Sequence, residues 1–305
     1  MAATIPVLGV VAVLVFLMLR LTPGDPAAIM AGDAATAEQI AQIRAALGLD
    51  RSLVTQFGIW IGNVLTGDLG ESFYFRIKVA ALIGQRLEPT LALTALTILL
   101  SVAMAVPLGV AAAWRFGGWL DRALMGFSVL GFSVPVFVLA YLLIWLVSLQ
   151  LGWLPVQGYV RLSEGFLPFL RHLILPAITL SVIYMALIAR VTRAAVLEAL
   201  GEDYIRTARA KGLPELRVLV RHALANAAVP IVTVIGIGVA LLIGGVVVTE
   251  SVYAIPGLGR LTVDAVLARD FPTIQGLILF FSAAYVLVNL LVDLSYVFLD
   301  PRIRF

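Results

Sequence analysis

DYIRTARAKGLPELRVLVRHALAN, residues 203–226, is a polar, arginine-rich break in a chain that is otherwise almost continuously apolar. The spacing predicts two short helices joined by a tight turn. Tyr204 to Lys211 suits a helix, and Gly212 is able to take the left-handed backbone that ends one. Pro214 suits the first turn of the next helix, where its missing N–H has no partner to lose, and Glu215 complements the positive dipole end. In that second helix Leu216, Leu219, Val220, Leu224 and Ala227 share a predicted apolar stripe, with Arg217 and Arg221 on another face. A folded, charged hairpin between apolar segments reads as a docking handle on the cytoplasmic side.

The surroundings of the hairpin fix the class of protein. Of 305 residues, 62% are hydrophobic and 13% charged, against about 45–50% and about 25% in soluble domains. The apolar runs have helical length, about 17–25 residues, rather than the short alternating segments of an outer-membrane barrel. The expected fold class is all-α and polytopic. Cysteine is absent, which excludes disulfides and thiolate metal sites. Only His172 and His222 offer imidazole, so a histidine-based metal cluster is not expected. The net charge of +3 gives no sign of a nucleic-acid partner. Residues 6–21 are apolar, with no basic side chain before them and no small-residue cleavage site after them, and read as a retained span.

Six spans are expected, near residues 5–21, 90–114, 124–149, 173–194, 228–249 and 273–298. Arg190, Arg193, Arg206, Arg209, Lys211, Arg217 and Arg221 gather in one connection, which the positive-inside rule makes cytoplasmic. Counting outward places both termini and the loop 115–122 inside as well. Residues 22–89 then lie outside as a helical cap, with a helix over 37–47 stopped at Gly48 and a more apolar one over 57–65. Gly24-Asp25-Pro26 and Gly67-Asp68 mark its turns. The expected organisation is a first span at 1–21, the cap at 22–89, a five-helix core at 90–298 containing the coupling loop 198–227, and a tail at 299–305.

Several residues stand out inside the apolar segments. Glu250 follows an apolar run and precedes a Gly/Pro-rich loop, which points to an outer gate involving Pro256, Gly257 and Gly259. Asn289 and Asp293 sit four apart in the last span and hence on one face. They serve either interfacial helix bonding or a pathway. Gly236, Gly238, Gly244 and Gly245 permit close helix approach. Pro107, Pro135 and Pro176 interrupt spans two, three and four.

Seven segments in order carry a family resemblance: RLTPGDPA (20–27), GDLGESF (67–73), GWLPVQGY (152–159), GEDYIRTARAKGL (201–213), RHALANAAVP (221–230), ESVYAIPGLGRL (250–261) and DPRIRF (300–305). With them the chain resembles the dipeptide permease B-type membrane subunit of dipeptide/oligopeptide/nickel ATP-binding-cassette importers, which have a type I importer permease fold. The resemblance implies that residues 203–213 form the loop that seats on an ATPase subunit. Arg206, Thr207 and Ala208 stand at the three EAA positions of that loop and Gly212 at its glycine. Asp203, Tyr204, Arg209, Lys211 and Leu213 complete the coupling set. Arg206 departs from the general pattern, which has Glu first. Arg206, Arg209 and Lys211 are expected to meet acidic groups of the ATPase, with Ala208 and Gly212 as a small face that admits it.

The resemblance also implies partners: a second homologous permease, two cytoplasmic ATPases, an extracytoplasmic solute-binding protein and membrane lipid in a bacterial or archaeal inner membrane. No GxxxxGK[ST] loop occurs in the chain, so no cofactor is expected here, and ATP and Mg would be held by the ATPases. Cargo of the family spans dipeptides, oligopeptides, nickel chelates and glutathione. An ion-coupled secondary transporter is the alternative; it calls for inverted repeats and midplane ionisable residues, and Asp293 is its only candidate. A hydrolase built on Ser133 and His172 lacks a GxSxG elbow.

Overall fold

The computed structural model describes residues 4–21, 27–28, 36–46 and 49–299. The expected turn at 24–26, the stop at Gly48 and the tail at 300–305 lie outside the described residues. All regular elements among the described residues are helical. We number the helices α1 (Thr4–Leu21), α2 (Ala37–Ala46), α3 (Leu53–Leu65), α4 (Val79–Trp114), α5 (Trp119–Ser133) and α6 (Val136–Leu143). After α6 a π-helical stretch, Ile144–Gln150, completes the same segment. Then come α7 (Phe166–Leu200), α8 (Asp203–Ala210), α9 (Glu215–Arg217), α10 (Ala228–Gly245), α11 (Val247–Val252), α12 (Leu258–Leu267) and α13 (Phe271–Leu299). A second π-helical turn, Val218–Leu224, follows α9 directly.

Three helices are long and apolar enough to cross a membrane, α4, α7 and α13, and two bent pairs bring the number to five. The remaining expected span is α1, with 18 residues. The third span is not one straight helix: α5 and the segment 136–150 meet at 100°. Pro135 at the break has no N–H to donate and clashes with the preceding turn. Pro107 and Pro176 lie inside continuous helices instead. A second bend, of 62°, separates 215–224 from α10.

The chain divides into two compact units. One holds the described residues of 1–87 together with 261–286, the other 88–260 with the described residues of 287–305. The expected cap at 22–89 and core at 90–298 are a division by membrane side, distinct from these packing units. Helix α4 runs unbroken through 89/90, and residues 261–286 are tied to the N-terminal segment by buried polar contacts. Gln275 donates to the Val15 carbonyl at 2.9 Å. Fully buried Asp270 accepts bonds from the Ser72 hydroxyl (2.5 Å), the Phe73 N–H (3.0 Å) and the Thr273 hydroxyl (2.7 Å). In the same unit Phe16 meets Phe57 edge-on, with centroids 5.1 Å apart, and Thr36 with Gln39 forms a reciprocal cap at the start of α2.

The second unit is a helical bundle with tight crossings. A Cβ on Gly236 would stand 2.2 Å from a Val292 methyl, and one on Gly238 would stand 3.1 Å from the Tyr184 ring. These two therefore do the close packing expected of them, whereas nothing lies within 4 Å of a Cβ on Gly244. Close approach strengthens dispersion contacts in lipid, where apolar burial gives no drive. One apolar core, with Leu93, Leu173, Leu175, Leu242 and Tyr253, joins α4, α7, α10 and the loop after α11. Another, with Val196, Ile205, Ala208, Val218, Ala223 and Ile231, lies at the hairpin end.

Candidate functional site

The hairpin forms because each of its joints has a local cause. Asp203 sits in the first turn of α8, where a carboxylate is favoured by the helix dipole. Gly212 has φ +74°, and around it the Leu213 N–H reaches the Ala208 carbonyl (3.3 Å) and the Gly212 N–H the Arg209 carbonyl (2.9 Å). These paired bonds satisfy the last carbonyls of α8 in the Schellman arrangement. Arg209 then grips Glu215 with two hydrogen bonds, at 3.2 and 2.6 Å, tying one limb to the other. The Arg209 guanidinium holds the Glu215 carboxyl below its usual range.

The second limb corrects the predicted stripe. Leu216 is 72% exposed and Val220 52%, while Val218, Leu219, Ala223 and Ala227 are buried. The π-helical turn is the reason: its i→i+5 bonding adds a residue per turn and rotates the buried face away from the position that a 3.6-residue period predicts. Ile205 and Ala208 complete the buried side. Two expectations therefore change. Ala208 faces the chain's own core rather than an open small face, and Arg209 is engaged within the hairpin. Arg206 pairs with Asp203 at 3.2 Å in a highly exposed contact; Thr207 donates to the Asp203 carbonyl. Tyr204, Arg206, Lys211, Gly212, Arg217 and Arg221 are exposed, and Leu213 is half-buried.

A second constellation surrounds Glu250, which is fully buried in α11. Its carboxylate accepts the Thr90 hydroxyl at 2.7 Å and the Arg260 N–H at 2.8 Å; Thr90 in turn accepts the Leu258 N–H at 2.8 Å. The backbone carbonyl of Glu250 accepts the Ile255 N–H. Pro256 is half-buried in the bend. A Cβ on Gly257 would lie 2.1 Å from the carboxylate and one on Gly259 3.1 Å. The glycines thus let the loop close round a carboxylate, a use that a Gly/Pro-rich composition alone does not reveal. Thr90, which holds both the carboxylate and the loop, escaped the sequence reading because a lone threonine in an apolar run carries no signal.

Asn289 is half-buried and Asp293 exposed on α13. A third polar contact was also missed: buried Asp121 in the first turn of α5 is held by Arg193 of α7 and accepts the Gly117 N–H at 3.0 Å. Its only sequence signal is an acid in a first turn after glycine. Ser133 and His172 each bind a carbonyl of their own helix, of Val129 and Pro168 respectively. Among the described residues no group of three or more metal-ligating side chains occurs.

Comparison with known proteins agrees with this architecture. Residues 105–305 match the family model described as binding-protein-dependent transport system inner membrane component, and residues 1–94 match its N-terminal counterpart. The chain is 53% identical over 305 residues to a probable peptide ABC transporter permease protein of Sinorhizobium fredii, covering 100% of this chain and 97% of the other. It is 46% identical over 304 residues to a putative peptide transport system permease protein of Brucella abortus, with 100% and 97% covered. A glutathione transport system permease protein of Escherichia coli is 45% identical over 302 residues, with 99% and 96% covered. The solved inward-facing methionine ABC transporter MetNI shares the fold at a TM-score of 0.57 and 19% identity, covering 72% of this chain and 96% of that one. An apolar helical bundle carrying a capped, charged hairpin, matched end to end by such relatives, belongs to the family of binding-protein-dependent transport system inner membrane components, the permeases of ATP-binding-cassette importers.

Proposed function

We propose that this permease carries peptides or related small solutes inward, and that the hairpin 203–226 is where a cytoplasmic ATPase pushes on it. Peptide and glutathione cargo is what its relatives are named for. The observation that carries the coupling reading is the solid backing of the hairpin. Ile205, Ala208, Val218 and Ala223 pack with Val196 of α7 and Ile231 of α10 in one buried cluster. A force applied to the exposed side of the hairpin is then transmitted to two membrane helices rather than absorbed by a loose loop. The exposed cations Arg206, Lys211, Arg217 and Arg221 complement an acidic groove. Asp203, Tyr204, Thr207, Ala208, Arg209 and Leu213 shape the hairpin that presents them.

In this reading the assembly comprises this chain, a second homologous permease, two ATPases that bind ATP and Mg, and an extracytoplasmic binding protein, with both termini of this chain in the cytoplasm. ATPase closure biases a two-state equilibrium of the bundle, and the clasp of Glu250, Pro256, Gly257 and Gly259 belongs to the outer gate. The test is Gly212→Asp. Gly212 has open space around it, and Asp tolerates left-handed backbone better than most residues. The variant should therefore assemble while placing a negative charge at the apex of a basic surface. ATP-dependent uptake should fall well below wild type at equal assembly; wild-type uptake would overturn the coupling reading.

A further inference from the structure

Between α5 and α7 lies an open groove of about 390 Å³ lined by Met125, Ser128, Val129, Phe132, Ser133 and Arg190, all exposed except buried Ser128. Its walls are apolar apart from two hydroxyls and one guanidinium. Both hydroxyls are used within the helices: Ser128 donates to the carbonyls of Leu124 and Ala186, and Ser133 to that of Val129. Arg190 stacks over the Phe132 ring at 5.2 Å. Unlike its neighbour Arg193, which is matched by Asp121, Arg190 has no carboxylate partner among the described residues.

The reach of that charge along the helix pair is what gives the groove a function. Helices α5 and α7 run antiparallel, with Asp121 beside Arg193 at one end and Ser128 beside Ala186 further in. The Asp121 end adjoins the connection 115–118 and the hairpin, on the side the charge rule makes cytoplasmic. Phe132 lies eleven residues along α5 from Asp121, about 16 Å at 1.5 Å per residue. Helical side chains lean toward the helix N-terminus, so the Arg190 guanidinium points from the cytoplasmic end of α7 inward. An arginine serving only the positive-inside rule reaches for the headgroups; this one reaches the opposite way. A cation reaching that far along an apolar helix pair needs water or an anion beside it, and such residues mark solute pathways.

We infer that the groove is an inward-side station for a solute bearing a free carboxylate, with Arg190 binding the carboxylate and Met125, Val129 and Phe132 contacting an adjoining apolar side chain. The inference rests on the importer reading above and adds the chemistry recognised: a peptide C-terminus rather than its amine or its backbone. An anionic lipid is the other source of such a head and tail. The guanidinium's reach toward Phe132, away from the Asp121 end, argues against it, because headgroups stay at the surface.

The chain is free of cysteine, so one thiol reports on the groove. Val129→Cys is placed in the full complex, reconstituted in phosphatidylcholine vesicles, and labelling of this chain is timed with an anionic and a cationic methanethiosulfonate. The anionic-to-cationic rate ratio should fall roughly tenfold when Arg190→Met is added, the size expected for one nearby charge at intermediate dielectric. Arg190→Lys should keep most of the ratio. A ratio unmoved by Arg190→Met, or a thiol that never reacts, overturns the inference. A mixed dipeptide pool should slow the anionic reagent, and the same pool with amidated C-termini should not. Equal protection by both pools, or protection by added phosphatidylglycerol alone, overturns the carboxylate assignment. Labelling reads the groove whether or not ATP drives uptake, and ATP-dependent uptake by the complex without the Arg190 change reads the importer function separately.

Discussion

At the scale of single residues, the clasp around Glu250 is the most constrained place in the chain. Gly257 leaves room for a carboxylate that a Cβ would meet at 2.1 Å, so Gly257→Ala forces the loop or the Glu250 side chain to move. Overpacking of this kind costs about 1–3 kcal/mol. Thermal unfolding of the detergent-purified protein should shift down accordingly. The same change should be milder in a Glu250→Ala background, because the two residues share one space. A thermal shift of equal size in both backgrounds would refute the steric account. Glu215 gives a pH dependence. Its folded pKa is depressed by Arg209, so its contribution is present above the unfolded value of about 4.3 and is lost as pH falls through the lower folded value. The pair is partly exposed, which limits it to about 0.2–1 kcal/mol. Protection factors against hydrogen exchange at the 208–215 turn should therefore fall in acid for wild type, and in Glu215→Gln they should already be lower at neutral pH.

At the scale of elements, the first limb of the hairpin was legible in the sequence and the second was not. Gly212 and Pro214 mark a stop and a start whatever surrounds them, because both act through backbone geometry. The face that the second limb buries depends on helical pitch, and no residue type announces a π-helical turn. Val218 and Ala223 were accordingly missed, and Leu216 and Val220 were assigned to the wrong side. That difference is testable by substitution. Leu216→Ser, on a 72% exposed side chain, should leave the folded permease as stable as wild type. Val218→Ser puts a hydroxyl into a fully buried site, at about 1–3 kcal/mol. A 3.6-residue stripe predicts the reverse order, so thermal stabilities ranked that way would remove the π-register. The Glu250 clasp was half legible. A carboxylate after an apolar run asks for an explanation, but its partner Thr90 is 160 residues away and only tertiary structure joins them.

At the scale of the whole molecule, composition fixed the class early, since 62% hydrophobic residues leave no soluble fold to consider. Packing units were the least legible feature, because helices such as α4 and α13 each run from one unit into the other and no compositional break marks the change. The source of energy follows first from the family, whose members are inner membrane components of binding-protein-dependent transport systems, and the bundle is consistent with it. Each of its three longest helices has an 18-residue membrane window with at most two charged residues. An ion-coupled carrier needs ionisable groups or unwound backbone near the midplane to hold its ion, and Asp293 lies within seven residues of the end of α13. The bundle instead presents a braced lever, α8 with the π-helical limb, joined to α7 and α10 through one apolar cluster. In the proposed reading, work enters at the hairpin from outside the chain. Vesicles carrying the full complex should lose peptide uptake when vanadate arrests the ATPases, and should keep it near the untreated rate when an ionophore collapses the ion gradients. The opposite pattern would mean that the hairpin is an anchor rather than a lever, and that the permease moves solute on a gradient it binds elsewhere.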